Sequence, residues 1–563
     1  MKSSEIGQRA AGSVVPRPAH PGQTLFLLVV VSVVMLPVLV LAWLALTNSS
    51  AELADLAATV LPAAALVTIE LLALVAILTG TIGVITAWLI VYFEFPMRRV
   101  MSWALVLPIA IPTYIAAYAF VEFFHFTGPV QSLLRDMFGY QSARDYWFPN
   151  IRSLGGASII MSLVLYPYVY LATRVVFLMQ SRHAADVARS LGAAPFRVFW
   201  RILLPMARPA VIAGVTLAMM ETLNDLGAVE YLGIRTLTFS VNNTWLAQGS
   251  LAGAAQLACA VMAVVFVLLR LEQYARRAQR FHLGRISGGA AGQGGTILKG
   301  WRAFAALLIC AAPVFLGFGI PLFVIGSFAI RRTEQFLDPQ LHAAIINSIS
   351  IGGATATLAV LISLGLGNAG RVLKSIRAFL LIRLASIGYS IPGTVLALGL
   401  LFSLAATDNW LDAIFRRLFG VSTGLMLTGS AFAIILALTI RFLALAEGTI
   451  QAGFEKIHPN IDDAARNLGQ TSIGAARRVL LPLLRPAILT AFVLVFVDCL
   501  KELSATILLR PLGFNTLATY VYENASRAAV EDGAAAALLI VLAGLAPVIF
   551  LSSVLMRHNG ERP

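Results

Sequence analysis

About twelve apolar stretches, most near twenty residues long, punctuate this chain of 563 residues. They fall within 25–46, 63–92, 101–124, 154–178, 206–226, 248–270, 303–328, 345–368, 377–403, 424–447, 484–500 and 534–555. A helix rises about 1.5 Å per residue, so twenty residues cross the roughly 30 Å hydrocarbon core of a bilayer. Lipid offers no partner to a backbone N–H or C=O, so such runs must satisfy themselves as helices. Only 12% of residues are charged, about half the share of a soluble protein. The expected fold is an all-α polytopic membrane protein with about 12 transmembrane helices. A formal charge of +14 in a soluble domain points to nucleic acid. Here Lys and Arg gather in loops that face the cytoplasm, so no nucleic-acid partner is expected.

One polar insert is written twice. Asp186-Val187-Ala188, three residues, Gly192, nine residues and Ile202-Leu203-Leu204-Pro205 recur as Asp463-Ala464-Ala465, Gly469 and Val479-Leu480-Leu481-Pro482. Each copy runs on into Arg-Pro-Ala, at Arg208 and at Arg485. Between the copies lies a Gly-rich stretch with Gly288-Gly289, Gly292 and Gly294-Gly295, which predicts a flexible cytoplasmic linker over 284–300. Six apolar stretches lie on each side, giving halves at 1–283 and 301–563. Ile111-Pro112-Thr113 answers Ile391-Pro392-Gly393, and Gly233 to Leu237 answers Gly513 to Leu517. An even number of spans separates the copies, so the halves are parallel six-helix repeats about an axis along the membrane normal.

Basic residues set the topology. Arg98-Arg99, Arg182 to Arg201, Arg270 to Arg285, Arg371 to Arg377, Lys456 to Arg478 and Arg557 all fall on one side, so both termini are expected in the cytoplasm. The first stretch follows Lys2, Arg9 and Arg17 but is too long for a signal peptide, and reads as an uncleaved span. The repeated inserts, at 183–205 and 460–482, lie on the cytoplasmic side. Asp186 suits the positive end of a short helix, Gly192 its left-handed terminus, and Pro195 the first turn of the next helix. A single insert of this kind reads equally as an amphipathic helix at the interface. Two with one spacing imply docking points for a two-fold partner.

Cys259, Cys310 and Cys499 lie in apolar stretches without Cys-x-x-Cys spacing, so neither disulfide nor zinc is indicated. No stable metal site is expected. No Gly-x-x-x-x-Gly-Lys-Ser/Thr pattern occurs, so no nucleotide or other cofactor is expected to bind. Charge does recur in the fifth span of each half. Glu221 and Asp225 are four apart, as are Asp498 and Glu502, and that spacing puts each pair on one helix face. Counted from Pro205, Asp225 lies about 30 Å up, at the outer interface. One reading makes the four carboxylates a transient stop for a hard cation near the outer mouth. The other makes them interfacial, with Lys501 pairing Asp498 or Glu502. On the first reading, replacing Glu221 and Glu502 by Gln lowers uptake and leaves assembly intact. His125 near Glu122 reads as a metal helper or as a solvated loop residue. Tyr166, Tyr168 and Tyr170 read as packing or interfacial belt. Pro108, Pro112 and Pro392 either break spans or kink them.

The repeated insert resembles the EAA signature of binding-protein-dependent ABC importer permeases: Glu-Ala-Ala, three residues, Gly, nine residues, Ile-x-Leu-Pro. Asp186 and Asp463 stand for the Glu, Val187 for one Ala, and Val479 for the Ile. The resemblance implies a type I importer fold and coupling helices built on Asp186, Ala188, Gly192 and Pro205, and on Asp463, Ala465, Gly469 and Pro482. It implies two copies of a cytoplasmic ATP-binding subunit as partners, which use the ATP and Mg, and an extracytoplasmic substrate-binding protein. It places the chain in the bacterial inner membrane as a transport subunit that is not itself an enzyme. The fused layout, with Leu107 to Tyr114, Glu221 to Gly227 and Lys501 to Thr506, is similar to ferric iron permeases of that family. Relatives of the same layout carry thiamine or phosphonates, which stay open. An ion-gradient-driven secondary transporter would show a charged signature loop after the second span, where only Phe93 to Val100 stands here. A passive channel gives no reason for two matched inserts.

Overall fold

The computed structural model describes residues 21–47, 56–178, 192–277, 296–458, 461, 464, 467–471, 474 and 476–558. Asp186, Ala188, Asp463 and Ala465 lie outside the described residues.

The first half opens with α1 (Pro21–Thr47) and α2 (Leu61–Tyr92). A two-residue strand β1 (Phe93–Glu94) leads to α3 (Arg98–Ala104), a 3-10 turn (Leu107–Ala110) and α4 (Thr113–Phe124). Next come α5 (Pro129–Phe138) and α6 (Leu154–Val176). A π turn at Phe199–Leu203 feeds α7 (Leu204–Asn224), followed by α8 (Leu226–Tyr231), α9 (Leu237–Leu246) and α10 (Leu251–Arg277). The second half has β2 (Thr296–Ile297), α11 (Trp301–Val314), α12 (Ile320–Arg331) and α13 (Pro339–Leu373). It continues with α14 (Ile376–Ala385), α15 (Gly393–Phe419), α16 (Ala431–Glu455) and α17 (Leu481–Lys501). It ends with α18 (Thr506–Leu509), α19 (Leu517–Ser526) and α20 (Ala534–His558).

Eleven helices among the described residues are long and apolar enough to cross a membrane. The segment 98–138, bent by 95° between Ala110 and Thr113, makes up to a twelfth. Proline causes the break: it has no N–H and forces the residue before it out of helical geometry. Ile111 and Ile391 are accordingly extended, and Pro112 and Pro392 cap the helices that follow.

The repeat is visible atom by atom. The Leu237 N–H donates to Thr68 Oγ1 at 2.9 Å, and the Leu517 N–H donates to Ser348 Oγ at 2.7 Å. Gly192 and Gly469 share φ +81°, a left-handed geometry that favours glycine.

The halves exchange their first spans. α1 packs along α14 and α15 of the second half, and Leu27, Val30 and Val34 join a core with Val395, Leu396 and Ala433. Gly399 permits this approach, because a Cβ there would lie 2.4 Å from the Pro37 carbonyl oxygen. In return α12 packs on α4, and Gly317 lies so close to α6 that a Cβ would meet the Leu163 oxygen at 2.2 Å. Small residues at such crossings let backbones touch, the main source of packing energy in lipid.

The end of the expected linker is not free. β2 pairs in parallel with β1, and the Leu298 N–H donates to the Glu94 carbonyl at 2.9 Å. Backbone pairing at 296–298 arises because the short β1 leaves unpaired edge groups. Cutting the chain at a protease site inserted within 284–295 is therefore expected to leave both halves co-migrating on size exclusion in mild detergent. Separation of the fragments would contradict the exchanged packing.

Candidate functional site

The fifth spans stop short. α7 ends at Asn224 and α17 at Lys501, and Asp225 and Glu502 turn extended. Asp225 then caps α8, and Glu502 accepts from the turn that leads into α18, where orphan N–H groups need acceptors. Asp225 Oδ1 accepts from the Ala228 N–H at 2.9 Å. Glu502 accepts from the Ala505 N–H at 2.8 Å and the Thr506 N–H at 3.1 Å.

Glu221, Asp225, Asp498 and Glu502 line one cavity of about 100 Å³ between the halves. Leu165 and Tyr168, midway along α6, and Arg441 and Phe442, midway along α16, line it too. The acids therefore lie level with the middles of α6 and α16, deeper than the count from Pro205 places them. Counting up from Pro205 assumed a fifth span running straight to the interface. The chain instead breaks at Asp225 and Glu502, and α8, α9, α18 and α19 continue beyond them. Broken helices are tolerated at this depth where they line a cavity.

The cavity is held by bonds within each half and by others, through Asn224 and Glu221, that cross between the halves. Arg441 Nη1 lies 3.1 Å from Glu502 Oε1 and donates to Asn224 Oδ1 at 3.0 Å. The Gly393 N–H donates to the same Asn224 oxygen at 2.6 Å, and Ser504 Oγ donates to the Asn224 carbonyl at 2.7 Å. The Tyr389 hydroxyl donates to Glu221 Oε1 at 2.6 Å. Thr113 Oγ1 donates to Asp225. Lys501 pairs with Asp498 at 2.7 Å, three residues away on its own helix. Of the two partners weighed for Lys501, Asp498 is the one taken.

Glu502 thus belongs to Arg441. Changing Glu502 to Gln would strand a buried cation, so this variant is expected to weaken assembly as well as uptake. Glu221 and Asp225 make no ion pair among the described residues.

The latch is one-sided. Ser153 and Ser430 cap α6 and α16 at equivalent places, and the same register puts Val164 where the second half has Arg441. The register of Pro112 and Pro392 puts Ile109 opposite Tyr389. Arg441, Asn224 and Tyr389 escaped the sequence reading. A lone Arg between Ile440 and Phe442 inside an apolar span was the available signal. Of the three α6 tyrosines only Tyr168 lines the cavity. Tyr166 is buried, and the Tyr170 hydroxyl donates to the Ser102 carbonyl at 2.8 Å.

A second cavity of about 550 Å³ is lined in part by Tyr118, Glu122, His125, Arg152, Glu230 and Tyr522. His125 Nδ1 lies 3.0 Å from Thr127 Oγ1. Among the described residues no three His, Cys, Asp or Glu side chains are grouped to hold a metal ion.

Two repeats, matched capping turns and exchanged first spans narrow the relatives sharply. The family described as binding-protein-dependent transport system inner membrane component matches twice, over residues 79–281 and 359–562. The chain belongs to this family. It is a membrane permease subunit of the ABC transporter class, and multi-pass like other members. It is similar to the Fe(3+)-transport system permease protein FbpB 2 of Haemophilus influenzae, at 26% identity over 84% of this chain and 86% of that protein. It is also similar to the probable sulfate transport system permease protein cysT of Nephroselmis olivacea, 29% identical over 40% of this chain and 78% of that one. The molybdenum transport system permease protein ModB of Escherichia coli is 25% identical over 39% of this chain and 96% of its own length.

Proposed function

We propose that this permease imports ferric iron, delivered by an extracytoplasmic binding protein and driven by two cytoplasmic ATP-binding subunits. The charge of the axial cavity carries the reading. Both cations there, Arg441 and Lys501, are paired to carboxylates. Glu221 and Asp225 form no ion pair among the described residues, although Lys501 also feels the Glu221 charge, so four carboxylates face two cations. A sulfate or molybdate ion would meet that excess with repulsion. A hard cation would meet oxygen ligands suited to it. Similarity along 84% of the chain to a ferric permease supports the same cargo.

The coupling segments 183–205 and 460–482 would dock the two ATP-binding subunits on the cytoplasmic side, with both termini. α7 and α17 run from those arms to the cavity, their first turns holding Pro205 and Pro482. Closure of the ATP-binding pair would pull both helices, and the contacts of Asn224 with Arg441, Gly393 and Ser504 must then part. The outer path opens and the carboxylates receive the ion. Hydrolysis resets the latch.

The test is reconstitution in liposomes with both partners. Iron-loaded binding protein should stimulate ATP hydrolysis. Glu221→Gln with Asp225→Asn should lower radioactive iron uptake by about tenfold, since losing one charged contact costs about 1.5–3 kcal/mol. Uptake driven by an ion gradient without ATPase partners would sink the reading.

A further inference from the structure

The larger cavity is lined by oxygen donors whose hydrogen bonding the fold leaves incomplete. Tyr118 is 2% exposed and lines that cavity, yet its hydroxyl makes no hydrogen bond among the described residues. In the same wall the Tyr522 hydroxyl engages the Glu230 carboxylate, while Glu230 Oε2 is buried with no hydrogen-bond partner. Glu122 stands one helical turn beyond Tyr118 on α4 and lines the cavity as well. The Tyr231 ring lies 4.5 Å from that of Tyr118, and Arg152 stacks on its other side at 5.0 Å.

One turn inward on α4 is Tyr114, its ring 5.8 Å from Tyr118. Tyr114 lines the axial cavity, and its buried hydroxyl is also without a partner. α4 therefore presents one idle phenol to each cavity. A buried hydroxyl left unpaired, as on Tyr114, costs about 1–3 kcal/mol, and the Tyr118 oxygen, on the wall of the larger cavity beside two carboxylates, is available to a ligand.

We propose that the larger cavity is a reception site for a hard trivalent cation, held by the Tyr118 oxygen with Glu122 and Glu230 before it passes Tyr114 into the axial cavity. This rests on the cation reading above. When the ion binds, the Tyr118 O–H bond breaks and an oxygen–metal bond forms. The proton leaves to water, and one water or chelator oxygen departs from the ion. Phenolate and carboxylate oxygens are hard donors that match such a charge. The Arg152 cation, over the Tyr231 ring, offsets the charge of Glu122 in the empty site.

The test uses the full chain in lipid nanodiscs, titrated with ferric nitrilotriacetate. The wild type should develop a visible phenolate-to-iron charge-transfer band. Tyr118→Phe keeps the ring packing and should abolish the band. Glu230→Gln should weaken iron affinity by about tenfold. A wild type without the band, or a band of equal strength in Tyr118→Phe, would overturn the proposal. The band needs neither ATPase nor binding protein, so the two readings fail separately. A chain that shows the band but never moves iron loses the transport reading alone. A chain that moves iron without the band loses the reception site alone.

Discussion

Replacing Arg441 by Met is expected to destabilise the folded chain by about 3–5 kcal/mol, the usual cost of removing one partner from a buried ion pair. Its side chain is 8% exposed and that of Glu502 is 2% exposed. Without the guanidinium, Glu502 keeps its N–H partners at Ala505 and Thr506 but loses its ion pair, and Asn224 loses one of the two donors to its side-chain oxygen found among the described residues. The change also severs a contact between the halves. A thermal melt followed by size exclusion in detergent would read it as a lower midpoint. The double variant Arg441→Met with Glu502→Gln should regain most of the loss, because a buried pair replaced as a unit is often neutral. A single variant as stable as the wild type would show that the pair contributes nothing.

Gly388→Ala should be almost as damaging, for a steric reason. Gly388 sits in the 3-10 turn Ser386–Ser390, and a Cβ there would fall 2.0 Å from the Ile440 carbonyl oxygen. That neighbour is backbone in the middle of α16 and cannot swing away. Overpacking of a tight contact costs about 1–3 kcal/mol, and more where backbone must move. The displacement would carry Tyr389 away from Glu221 and Arg441 away from Glu502. The expected result is a sharp drop in folded yield, with uptake lost in what remains. Gly353→Ala on α13, where a Cβ meets nothing within 4 Å, is the control. It should be neutral or stabilising by up to about 1 kcal/mol, as alanine replaces glycine within a helix. Equal behaviour of the two variants would refute the close approach at Ile440.

What the sequence could show depended on the range of the interaction. Apolar length gave the spans, and the breaks at Pro112 and Pro392 follow from proline's own covalent geometry. The doubled insert and the matched Leu237 and Leu517 turns were legible because they are local patterns repeated at one offset. The depth of Asp225 was not. It depends on where α7 ends, and a carboxylate that caps its own downstream turn can be recognised only once that turn is known. The latch was hidden for a similar reason. Asn224 and Arg441 are 217 residues apart, and no periodicity links them. The exchange of first spans left no mark either, since a run of Leu and Val says nothing about which half will cover it.

That exchange has a consequence for how the chain is made. α1 finds its resting place against α15, which begins about 370 residues later. At a synthesis rate of about 5–20 residues per second, α1 waits roughly 20–75 s in the membrane before its partner exists. Throughout that interval only lipid or an insertion factor can cover the Pro37 face that Gly399 later receives. Biogenesis, as much as transport, therefore bears on why α1 is so uniformly apolar that its Pro37 face can rest in lipid, with only α10 of its own half beside it, until the other half arrives.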